Sequence, residues 1–77
     1  YKPGLAVALV NASAAACDRG DAERALELGR QAADVALPIE AYETLLLALQ
    51  NQAQALVMLG RLDEAELMLG QTLGHFA

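Results

Sequence analysis

The chain has 77 residues, a hydrophobic content of 56% and a net charge of −5 with a pI near 4.5. That length makes one small domain, at the size where a single core stabilises only marginally. Five scattered Lys and Arg residues do not form the clustered basic footprint that direct nucleic-acid binding or an anionic membrane surface requires, and both are excluded.

Much of the apolar content is alanine, which buries little area per residue. Thin layers of closely packed helices suit it better than a deep core. Two prolines and few β-branched residues make the chain all-α. The single cysteine, Cys17, excludes an intrachain disulfide and fits a reducing, cytoplasmic setting. The apolar run 45–49 is followed by Gln50, Asn51, Gln52 and Gln54, so it is too short for a membrane span. A start at Tyr1 and an apolar end at Phe76-Ala77 fit a piece of a longer protein.

Pro3 stands at the N-terminus of the first predicted helix, whose apolar stripe is Leu5, Leu9, Ala12 and Ala16, flanked by Ala8 and Ala15. Gly20 ends it as a left-handed residue, and Asp21 is placed to cap the next helix, with Arg24 three residues on in place of a capping-box Glu. That second helix, about 22–36, buries Ala22, Ala25, Leu26, Gly29, Ala32, Ala33 and Ala36. It exposes Glu23, Glu27, Arg30 and Asp34, with Glu27–Arg30 and Arg30–Asp34 spaced as ion pairs. Gly29 in a helix interior costs roughly 1 kcal/mol against Ala, which a close helix crossing would explain.

Leu37-Pro38 breaks the pattern, and Pro38 suits the first turn of a third helix over about 39–59. Its inner stripe is Tyr42, Leu45, Leu46, Leu49, Ala53 and Leu56. Gly60 ends it. A fourth helix, about 62–76, carries Leu62, Ala65, Leu69, Thr72, Leu73 and Phe76 on one face, while Leu67 and Met68 fall outside that stripe.

The turns at Gly20 and Gly60 lie forty residues apart, each with acidic residues after it and Ala five positions on. Aligned at that period, residues 8–37 and 48–77 agree at Ala8/Ala48, Leu9/Leu49, Asn11/Asn51, Ala15/Ala55, Gly20/Gly60, Ala25/Ala65 and Gln31/Gln71. The pattern resembles the tetratricopeptide repeat, a helix pair with a Gly turn and a buried Ala soon after it. The best match runs over residues 51–73, above all Leu59-Gly60-Arg61-Leu62-Asp63-Glu64-Ala65. Ala16 and Gly29 stand where the family prefers larger side chains. The period exceeds the family's usual 34 or so residues, and is similar to the lengthened repeats of kinesin light chains and bacterial signalling proteins. The resemblance implies two antiparallel helix hairpins, about 5–37 and 38–77, in a right-handed α-solenoid fragment. It further implies a protein- or peptide-binding scaffold within a larger bacterial regulatory protein.

In such solenoids the position of Asn11 and Asn51 faces the concave groove. An amide there matches a peptide C=O and N–H at once, whatever the sequence. The same face would present Val7, Val10, Ala14 and Cys17, then Leu47, Gln50, Gln54, Val57 and Met58. It carries no Lys or Arg, so an acidic C-terminus is not its ligand. Both Asn residues could instead serve local polar contacts.

No enzyme, cofactor or metal site is expected. His75 has no companion ligand, Cys17 has no nearby His, and Asp63, Glu64 and Glu66 are acids at a helix start. Gly70 and Gly74 lack the strand and basic residue of a phosphate loop. The rival to peptide binding is a structural role. Leu67, Met68, Leu73 and Phe76, with no polar cap after them, would join two copies in a two-fold homodimer.

Overall fold

The computed structural model describes residues 2–76, with the side chains of Lys2, Leu73, His75 and Phe76 excepted. It is all-α: α1 (Lys2–Asp18), α2 (Ala22–Ala36), α3 (Tyr42–Met58) and α4 (Leu62–Phe76). The helices begin at residues 2, 22, 42 and 62, one every twenty. This spacing is set by three turns of one kind. The left-handed residue of each is Gly20 (φ 79°), Glu40 (φ 56°) and Gly60 (φ 76°). In each turn the N–H of that residue reaches back three residues and the next N–H reaches back five: Gly20 to Cys17 and Asp21 to Ala16, Glu40 to Leu37 and Ala41 to Ala36, Gly60 to Val57 and Arg61 to Leu56. All three are Schellman turns, which satisfy carbonyls that a helix end leaves open.

The third helix therefore starts at Tyr42 rather than Ile39. Pro38 does not open a new helix; it lies in the turn that closes α2. Its missing N–H cannot continue the α2 ladder, so α2 ends at Ala36 and residues 37–40 turn the chain. Asp21 caps α2 as expected, its Oδ1 accepting from the Arg24 amide at 3.3 Å. Ala41 gives α3 no side-chain cap. The α2 stripe is the one expected except that Ala33 is only half-buried, and Leu28 is buried beside it. Its surface ion pair is Arg24–Glu27 (3.5 Å), not Glu27–Arg30 or Arg30–Asp34, and Gln31 donates to Glu27 from the next turn.

The α1 stripe is rotated by about one residue from expectation. Ala6, Val10, Ser13, Ala16 and Cys17 are buried, while Leu5, Ala8 and Ala15 are exposed. In α3, Tyr42 is exposed, and Ala48, Gln52 and Ala55 join Leu45, Ala53 and Leu56 inside.

Contacts along the helices set their directions. Ala36 packs with Ala6, Ala32 with Val10, and Ser13 Oγ donates to the Ala25 carbonyl at 2.7 Å, so α1 and α2 are antiparallel. Leu45 joins Ala6, Ala48 joins Val10, and Leu56 joins Ala16, so α3 runs parallel to α1. Helix α4 returns antiparallel along α3, with Ala65 beside Leu56. Among the described residues α1 and α4 do not meet. The result is an open row of helices in a slab 33 × 29 × 13 Å, not a closed bundle.

Three small polar contacts pin the first hairpin to α3. Gln52 Nε2 donates to the Gly29 carbonyl at 3.1 Å, Asn51 Nδ2 to the Val10 carbonyl at 3.2 Å, and Cys17 Sγ lies 4.0 Å from the Asn51 carbonyl. Gly29 explains its own cost here. A Cβ on it would stand 2.7 Å from Gln52 Cγ, 3.3 Å from the Ala48 carbonyl and 3.4 Å from Ser13 Oγ. Only glycine admits α1 and α3 this closely at once.

Candidate functional site

Helices α1 and α3 lie side by side and parallel, so their outward residues form one continuous face. Val7, Leu47 and Met58 are the apolar members, exposed at 48%, 49% and 43%. Val57 is exposed beside Met58. Asn11, Gln50 and Gln54 add exposed amides, and Ala14 is half-buried. None of these side chains carries a charge. The face can meet an apolar or extended chain with dispersion contacts and amide hydrogen bonds, and offers no acid, base or nucleophile.

Three residues expected on this face are placed otherwise. Val10 is buried at 6% exposure against Ala32 and Ala48. Its backbone shows the cause: the Val10 carbonyl is the acceptor for Asn51, so this edge of α1 is closed by α3. Cys17 is buried in the main cluster with Ala16, Leu26 and Leu56. Burial, then the charge of Asp18, pushes its thiol above the ordinary cysteine value, which keeps it protonated and poorly nucleophilic. Asn51 is half-buried, and its amide already has a partner inside the fold. The amide row is thus broken at the second repeat: Asn11 is exposed and Asn51 is a staple between helices.

The set expected to join two copies divides as well. Leu67 is exposed, together with Leu62 and Leu69 of the same helix. Met68 instead turns inward and packs on the core cluster, one helical position from Leu67 but about 100° around the axis. The side chains of Leu73 and Phe76 lie outside the described residues, as does that of His75.

Two concavities were not legible in the sequence. A cleft of about 390 Å³ opens between the C-terminal parts of α2 and α4, lined by Ala33, Asp34, Leu37, Leu45, Leu49, Gln71 and Gly74. Its cause is the small side of each helix, Ala33 facing Gly74 across the floor of α3. A second hollow follows the outer side of α4 past Asp63, Glu66, Leu67 and Gly70. At the turn into α4, Arg61 grips the Glu64 carboxylate through both Nε and Nη2. That hydrogen bonding holds the Glu64 carboxyl below the usual range and raises Arg61 further. Both groups are exposed, so this is a surface clasp on the first helical turn.

Among the described residues no group of three or more His, Cys, Asp or Glu side chains could hold a metal ion. No helix among them is long and apolar enough to cross a membrane. Compared with protein-family models, curated proteins and solved structures, the chain matches none.

Proposed function

We propose that this chain is a tetratricopeptide-like pair of helix hairpins that serves a larger regulatory protein as a scaffold for a protein or peptide partner. The observation that carries the reading is the uncharged face shared by α1 and α3, where Val7, Leu47 and Met58 stand exposed among Asn11, Gln50 and Gln54. The Gly20 and Gly60 turns and the forty-residue period support the hairpin assignment. Exposed apolar groups framed by amides suit an uncharged extended segment, whose backbone the amides can meet from either side.

The test is a display library of extended peptides selected on the 77-residue chain, followed by titration of the winners. Leu47→Glu and Gln54→Ala should each weaken a selected peptide, Leu47→Glu by tenfold or more, while the helical signal stays intact. Peptides whose affinity is unmoved by either change would remove this face from the reading.

A second reading, self-association, is favoured by a separate observation. Helix α4 exposes Leu62 and Leu69 on one side and Leu67 on the other, large apolar groups that a second copy would cover.

A further inference from the structure

Four residue types that recur at the forty-residue period share one side of a helix. In α3, the residues turned toward the first hairpin include Leu45, Ala48, Asn51 and Ala55; Leu45 is 3% exposed and Ala48 and Ala55 are sealed. Forty residues earlier α1 carries Leu5, Ala8, Asn11 and Ala15, the same four residue types. There all four are exposed, Leu5 at 50%. Within these 77 residues α1 therefore leaves open a copy of the surface with which α3 sits on the hairpin before it.

The other end of the row offers the matching partner. Moving forward by forty residues, the Val10 carbonyl that accepts from Asn51 becomes the carbonyl of Gln50, and Gly29 becomes Leu69, 48% exposed on α4. Inside the chain Gly29 faces the long side chain of Gln52. At the ends, the counterpart of Gln52 is Ala12 and that of Gly29 is Leu69. The larger side chain has moved from the docking helix, Gln52 on α3, to the receiving one, Leu69 on α4, so an apolar contact takes the place of the Gln52 hydrogen bond.

We infer that the α1 face of one copy docks on the α3–α4 end of a second copy, continuing the row head to tail with Asn11 Nδ2 donating to the Gln50 carbonyl of its neighbour. This rests on the self-association reading and gives it a geometry. The contact is heterologous, so it leaves one free end of each kind and propagates, whereas a two-fold contact through α4 stops at two copies.

The experiment is sedimentation of the 77-residue chain from low to high micromolar concentration, with two variants at exposed positions: Ala8→Glu/Ala15→Glu on α1 and Leu69→Glu on α4. Circular dichroism checks that each remains helical. The wild-type mass should rise past that of a dimer, and each variant alone should stay monomeric. Mixed in equal amounts the variants should form a one-to-one pair, because each retains the end the other has lost. Asn11→Ala should weaken the wild-type association by roughly two- to tenfold, the loss of one hydrogen bond. A wild type that halts at a dimer, with the α1 variant still dimeric, keeps self-association and overturns the head-to-tail geometry. A wild type that stays monomeric, or variants that do not pair, overturns it outright.

Discussion

Replacing Gly29 by Ala sets two known effects against each other at the point where three helices cross. Alanine is favoured over glycine in a helix interior by about 1 kcal/mol, so at an open position the change would stabilise α2. Here the new Cβ would stand 2.7 Å from Gln52 Cγ, far inside the roughly 3.5–4.0 Å of carbon–carbon contact. Gln52 cannot swing aside freely, because it is 3% exposed and its Nε2 is bonded to the Gly29 carbonyl. Overpacking of this kind costs about 1–3 kcal/mol, so Gly29→Ala should destabilise by about 1 kcal/mol net. For a domain of this size that lowers Tm by about 4–8 °C. The assay is thermal and urea melting at low protein concentration in two backgrounds, wild type and Gln52→Ala. Without Gln52 Cγ the crowding is largely gone, and Gly29→Ala should become neutral or mildly stabilising. A rise in Tm in the wild-type background, or an equal loss in both, would refute the crossing as the reason for glycine.

The same melts check four further expectations. Leu56→Ala removes the largest fully buried side chain among the described residues and should cost about 2–5 kcal/mol, a large share of a total stability of order 4–11 kcal/mol; a melt within a few degrees of wild type would contradict its place in the core. Glu40→Gly should raise stability by up to about 1 kcal/mol by relieving the left-handed backbone, and Gly60→Val should lower it by about 1 kcal/mol or more; the opposite signs would show the turns to be misassigned. Asn51→Ala should cost about 1 kcal/mol through its lost bond to Val10, whereas Asn11→Ala, measured on dilute monomer, should stay within about 0.5 kcal/mol. Because burial raises the Cys17 pKa in the folded state, the native chain holds that proton more firmly than the unfolded one. Its contribution is complete below the ordinary thiol pKa and is lost as pH rises through the folded value. Stability should therefore fall more on alkalinisation in wild type than in Cys17→Ala, and identical slopes would count against the burial.

What the sequence determines by itself is everything that depends on near neighbours along the chain. The turns at Gly20 and Gly60, the Asp21 cap and the α2 stripe follow from backbone sterics and a 3.6-residue period, which act over a few residues. The forty-residue repeat is legible for the same reason, because it is local chemistry written twice. Tertiary structure decided what each helix face meets. Alanine-rich α1 has several nearly equivalent apolar stripes, and only the position of α2 and α3 selects Ala6, Val10 and Ser13 over Leu5, Ala8 and Ala15. Pro38 could open one helix or close another, and the Schellman bonds from Glu40 and Ala41 choose the second. Asn11 and Asn51 are the same residue at the same repeat position, and one is exposed while the other donates to Val10. The difference is that α3 has a hairpin in front of it and, within this chain, α1 does not. A side chain's partner lies across space rather than along the chain, so identical residues acquire different roles.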